Sequence, residues 1–142
     1  MPEKTRTVKE LMTSEPVTLK HTDTAARAAE RMREADVGAL LVTRDGKLTG
    51  IVTDRDLVIR CMAGGNDPSR IPLEQLCSKE LVSVSPEHGV KDVIAMMHER
   101  AIRRVPVLDG DRPVGIVSIG DLAMKLDAES ALASISAAPP NR

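Results

Sequence analysis

Two short stretches of this chain carry residue types that hold small molecules: Gly50-Ile51-Val52-Thr53-Asp54-Arg55-Asp56-Leu57 and Gly115-Ile116-Val117-Ser118-Ile119-Gly120-Asp121-Leu122. Each reads as glycine, two aliphatic residues, a hydroxyl residue, two variable positions, aspartate and leucine. The aliphatic pair ends a strand and the hydroxyl starts a helix, so hydroxyl and carboxylate leave the backbone from one turn. Such a carboxylate accepts hydrogen bonds from both hydroxyls of a ribose. The hydroxyl residue and the free N–H groups of a helix start suit a phosphate. Glycine ahead of them permits close backbone approach. The tetrapeptides Thr53-x-x-Asp56 and Ser118-x-x-Asp121 also fit a capping box, in which the side chains serve the helix itself. That box prefers Glu or Gln at its last position, and the recurrence of the longer pattern weighs towards a site.

The elements that position these stretches are themselves written twice. Residues Leu11 to Leu57 match Leu76 to Leu122 at a constant offset of 65 with no gap. Identical pairs include Leu11/Leu76, Val17/Val82, Met32/Met97, Val42/Val107, Gly50/Gly115 and Asp56/Asp121. A duplicated unit of this size must pack on its copy to bury its apolar face, and the cleft between copies is a natural ligand position. Each copy reads as a leading helical turn (Val8 to Met12; Leu73 to Cys77) and a short strand (Val17 to Leu19; Leu81 to Val84). An amphipathic helix follows. In the first copy it runs from about Thr24 to Ala35, with Thr22 or Asp23 as cap. In the second it begins after Ser85-Pro86, with Pro86 in its first turn and a stripe at Val90, Val93, Ile94 and Met97. Hairpins turn at Asp45-Gly46 and Asp109-Gly110, and last helices start near Asp54 and Ile119. The expected fold is α/β (α+β): two tandem β-α-β-β-α repeats, residues 8–66 and 73–131, related by a pseudo-two-fold axis. Gly64 to Ser69 links them, and residues 132–142 form a disordered tail.

Composition removes several function classes. Twenty basic against 21 acidic residues, without a long run of either sign, gives no field for nucleic acid or a membrane surface. No run of about 18 apolar residues is present to span a bilayer. The start, Met1-Pro2-Glu3-Lys4, has no signal-peptide core, so a cytoplasmic location is expected. With no Phe, Tyr or Trp, a bound base must lie against aliphatic side chains. Aromatic stacking platforms for single-stranded nucleic acid are excluded. Cys61 and Cys77 form no Cys-x-x-Cys pair and read as small buried residues, and no ligand spacing joins them to His21, His88 or His98. No metal site and no catalytic nucleophile-base set is visible. Met32, Met62, Met96, Met97 and Met124 fall on helix stripes and read as core filling.

The ordered set resembles the CBS-domain family, whose tandem pair is called a Bateman module. The resemblance rests on the element order, on Pro16-Val17-Thr18 and Leu81-Val82-Ser83, and on both Gly-h-h-[Ser/Thr]-x-x-Asp motifs, where h is aliphatic. It spans about Val8 to Asp127 and looks most like small stand-alone bacterial pairs. The resemblance implies a non-catalytic regulatory module, with no required cofactor, that binds AMP, ADP, ATP or S-adenosylmethionine between the repeats and pairs into a homodimer. It implies a first site at Val17, Thr18, Gly38, Ala39, Leu40, Thr53, Arg55 and Asp56. The implied second site lies at Val82, Ser83, Arg103, Arg104, Val105, Pro106, Ser118 and Asp121. Asp56 and Asp121 would hold ribose. A ligand-free structural dimer is the alternative. An inosine-monophosphate dehydrogenase, which carries such a pair as an insert, needs a catalytic barrel of ~250 residues, for which there is no room. The copies differ where ligand choice would lie: Asp54-Arg55 against Ile119-Gly120, and Gly38-Ala39 against Arg103-Arg104. Unequal sites are therefore expected.

Overall fold

In the computed structural model, which describes residues 6–79 and 82–129 (side chains to 124), each half of the molecule holds a three-stranded sheet backed by helices. The first half contains β2 (Thr18–Lys20), α2 (Ala25–Ala35), β3 (Ala39–Arg44), β4 (Lys47–Thr53) and a last helix. That helix starts as a single α-turn, α3 (Asp54–Asp56), and continues as a π-helical stretch, Leu57–Met62. The second half contains α4 (Val90–Arg100), β5 (Arg104–Asp109), β6 (Arg112–Ser118) and α5 (Ile119–Glu129), which is α-helical throughout. Among the described residues no helix is long and apolar enough to cross a membrane. The tail from 132 lies outside the described residues.

The leading segments do not pack where sequence order would put them. α1 (Val8–Leu11) and β1 (Thr13–Ser14) belong to the second half: β1 pairs antiparallel with β6, and Val8 and Leu11 are buried among Val90, Val93, Met97 and Leu122. Reciprocally, the 3-10 turn Leu73–Gln75 places Leu73, Leu76 and Cys77 in the core of the first half, with Ala28, Leu40, Val42 and Val52. The backbone bonds repeat at the same offset: Val8 N–H to His88 O (2.9 Å) matches Leu73 N–H to Asp23 O (2.8 Å). Each arm thus completes the other half's core. Burying a leucine such as Leu73 is worth roughly 1.5–3 kcal/mol, so the exchange ties the two halves into one unit.

Several local expectations are corrected. Thr24, not Thr22 or Asp23, caps α2 through Arg27 N–H (3.3 Å), while Asp23 accepts from Lys20 N–H (2.8 Å). Pro86 lies in a turn closed by His88 N–H to Ser85 O, and α4 begins only at Val90 behind Gly89. In the first hairpin Asp45 and Gly46 both take positive φ, the geometry expected of an Asp-Gly turn. In the second, Asp109 still pairs with Arg112, so the turn residues are Gly110 and Asp111. The strand expected at Leu81 to Val84 reduces, among the described residues, to one bridge between Val84 and Val107; Leu81 itself lies outside them. The cause is Pro106. At its counterpart Leu41, the N–H donates to Val17 O (2.9 Å) and holds β2 parallel to β3, and proline has no such hydrogen.

Met32 and Met97 are core residues as expected, but Met62 and Met124 are exposed. Val58, Ile59 and Met62 form an exposed apolar face on the last helix of the first half, and Met124 is exposed on α5. A helical stripe marks a face that will be covered without saying by what.

Candidate functional site

Strand alternation sorts the site residues. Leu40 and Val42 on β3, with Val52 and Gly50 on β4, face the helical core of the first half, so Ala39, Leu41, Ile51 and Thr53 face the other half. In the second half Val105, Val107 and Val117 face the core, leaving Arg104, Pro106, Ile116 and Ser118 on the cleft side. Each motif therefore sends its second aliphatic inward and its first aliphatic and hydroxyl to the cleft.

The two glycines of the motifs answer to the exchanged arms. A Cβ on Gly50 would stand 2.4 Å from Cys77 Sγ, and one on Gly115 would stand 2.4 Å from Met12 Sδ. The close approach read from the sequence is made by the arm of the opposite half. Cys61 and Cys77 are free and buried, and burial pushes the Cys77 thiol up, so both are packing groups.

The paired carboxylates have different surroundings. Asp56 closes a reciprocal capping box: its carboxylate accepts Thr53 N–H (2.9 Å), its own N–H donates to Thr53 Oγ1 (3.1 Å), and Arg60 lies 3.9 Å away. At the second motif Asp121 N–H donates to Ser118 Oγ (3.0 Å). Among the described side chains, which in α5 run to Met124, no hydrogen bond or ion pair occupies the Asp121 carboxylate, which is half-buried.

A cavity of about 240 Å³ opens between the halves. Its walls include Glu15, Pro16 and Val17, then Val37, Ala39, Leu40 and Leu41, with Ile116 from the second half. Val17, Ala39 and Leu40 of the expected first site are thus brought together. Thr18 is exposed and does not line the cavity. Thr53 pairs with Ala39 and stands at its side, and Arg55 is exposed beyond it. Gly38 forms a notch next to Ala39: a Cβ there would lie 3.1 Å from Asp54 Oδ2 and 3.7 Å from Arg104 Nη2. Arg104 therefore crosses the cleft from the second half to the first.

The remaining second-site residues are divided. Val82 is half-buried and Ser83 exposed. The Val105 side chain is core, Pro106 is buried on the cleft side, and Arg103 is exposed with its carbonyl accepting Ile119 N–H (2.8 Å). Sequence reading missed Ile116 and Val37; Asp54 was marked only as a difference between the copies. Ile116 was legible, since it lies two residues before Ser118 on the same face of a strand.

Two duplicated units exchange their arms and share a cavity at their junction, which defines a paired module. The family model described as CBS domain matches residues 8–62 and 73–128, and the chain belongs to the CBS-domain family. It is 39% identical to the CBS domain-containing protein YhcV of Bacillus subtilis, over 91% of this chain and 94% of that one. The crystal structure of Hypoxic Response Protein I with two coordinated zinc ions is similar at TM-score 0.76 and 34% identity, covering 83% of this chain and 97% of that one. The CBS pair of MJ0100, in complex with 5′-methylthioadenosine and S-adenosylmethionine, shares the fold at TM-score 0.77 and 24% identity, covering 89% of this chain and all of that one. Among the described residues of this chain no group of three His, Cys, Asp or Glu side chains is arranged to hold a metal.

Proposed function

We propose that this CBS pair is a non-catalytic regulatory module of the cytoplasm that binds an adenosyl ligand (AMP, ADP, ATP or S-adenosylmethionine) in the cleft between its halves. The observation that carries the reading is the aliphatic cavity shared by Val17, Ala39 and Leu41 of one half and Ile116 of the other. A base held without aromatic residues needs such a slot. At about 240 Å³ it is smaller than the ~300–1,000 Å³ of pockets for whole ligands. It therefore suits the base, with ribose and head group towards the polar residues beyond Ala39. Asp121, whose carboxylate meets no partner among the described side chains, is the ribose acceptor, and Ser118 stands beside it. Asp56 serves mainly as a helix cap. The exposed face of Val58, Ile59 and Met62, with Met124 on α5, pairs two copies into a homodimer.

A thermal-shift panel with AMP, ADP, ATP and S-adenosylmethionine tests this reading. A ligand at 100 times its Kd adds about 2.7 kcal/mol. For a chain of this size that raises the melting temperature by about 5–10 °C. No shift with any of the four would leave a structural dimer as the better description.

A further inference from the structure

We infer that the two charged side chains at the Gly38 notch select the ligand's head group, and that this group is a zwitterion, such as the amino-acid end of S-adenosylmethionine, in preference to a polyphosphate. The inference rests on the adenosyl-ligand reading above and concerns the part of the ligand beyond the ribose.

Asp54 comes from the first half and Arg104 from the second, and both reach the same point beside Gly38. Both are exposed, and among the described residues no ion pair joins them to each other or to another side chain. Asp54 Oδ1 accepts Arg55 N–H (2.8 Å), while Oδ2 is the oxygen nearest the notch. The notch adjoins Ala39, which lines the apolar cavity. A ligand whose base fills that cavity can send its head group past Gly38, between one guanidinium and one carboxylate.

Opposite charges on either side of a notch, neither in an ion pair among the described residues, match a head group carrying both signs. The guanidinium takes an α-carboxylate and Asp54 Oδ2 takes an α-ammonium. A di- or triphosphate drawn to Arg104 would set several negative charges beside Asp54, and like charges so placed select against a ligand. The arrangement occurs once per chain. At the offset of 65, Ile119 stands for Asp54, Arg103 for Gly38, and Ala39 for Arg104, so the mirrored position has no such pair.

Calorimetric titration of the full chain with S-adenosylmethionine, 5′-methylthioadenosine, AMP and ATP tests the proposal, on wild type, Asp54→Asn and Arg104→Ala. 5′-Methylthioadenosine keeps the adenosine and lacks the amino-acid end. Two partly exposed charge pairs amount to roughly a tenfold preference for S-adenosylmethionine over it. That ratio should fall towards one in both variants, and Asp54→Asn should raise ATP affinity relative to S-adenosylmethionine. If 5′-methylthioadenosine or ATP binds wild type as tightly as S-adenosylmethionine, the head-group assignment is overturned while the adenosyl reading stands. If none of the four binds, the adenosyl reading falls and takes this proposal with it.

Discussion

Replacing Gly115 by alanine should destabilise the fold through Met12, more than a hundred residues away in sequence. The added methyl would stand 2.4 Å from Met12 Sδ and 3.0 Å from its Cγ, with Thr13 O at 3.1 Å. Met12 packs against the second core, next to arm residues Val8 and Leu11, so it cannot swing aside without loosening them. Overpacking of this kind costs about 1–3 kcal/mol. At roughly 2–4 °C per kcal/mol the melting temperature should fall by about 2–12 °C. Met12→Ala is itself destabilising because it opens a gap, but it removes both sulfur and Cγ. In that background only the Thr13 O contact at 3.1 Å remains, so Gly115→Ala should cost much less. A double-mutant cycle read by urea unfolding should therefore give a coupling of about 1–3 kcal/mol, far above the few tenths expected of independent sites. An equal cost for Gly115→Ala in both backgrounds would refute the claim that the exchanged arm dictates this glycine. A loss of ligand affinity with stability intact would return the glycine to the ligand.

Acid should loosen both arms. The Thr7 N–H holds Glu10 below its ordinary 4.5, and a hydrogen bond from His21 does the same for Glu74. Carboxylates with depressed folded pKa values contribute stability above about pH 4.5 and lose it as pH falls through the folded values. Stability by urea unfolding should thus drop below that pH, and the drop should be shallower in a Glu10→Gln/Glu74→Gln variant; an unchanged acid limb would count against the arm contacts. Met62→Asp, at a side chain 70% exposed, should leave the melting temperature of the dilute chain nearly unchanged while shifting sedimentation from dimer to monomer; an unaltered dimer would move the interface elsewhere. Pro106→Leu restores the donor that Leu41 supplies in the first half, and the amide at 106 should become slow to exchange. Fast exchange there would mean that Pro106 is not what shortens the strand.

Much of the fold was legible because duplication exposes it. A gapless offset through loops defined the repeat, the stripe Val90, Val93, Met97 defined a helix, and Asp45-Gly46 defined a hairpin. Pro106 was legible in principle as a lost donor opposite Leu41, but it needs the register of a neighbouring strand to be read. The exchange of arms was not legible. Val8, Leu11, Leu73 and Leu76 are apolar whichever half they enter, and nothing local says which core will accept them. At the site, the alternation that sets Thr53 and Ser118 on the cleft face followed from strand period. The different states of Asp56 and Asp121 did not, because both tetrapeptides satisfy the same capping pattern and only geometry shows which carboxylate is engaged. Arg104 was chosen from sequence for its strand, whereas its position beside Asp54 of the other half is a product of packing.

The central claim is one adenosyl ligand per chain, with its ribose on Asp121. Calorimetric titration of S-adenosylmethionine and AMP into wild type, Asp121→Ala and Asp56→Ala tests it most directly. The account predicts one site per chain. Losing a hydrogen-bonding carboxylate in Asp121→Ala should weaken it by roughly tenfold or more, and Asp56→Ala should act chiefly on stability, by about 1 kcal/mol, as a lost cap does. Two equivalent sites per chain, or an affinity that survives Asp121→Ala, would contradict it.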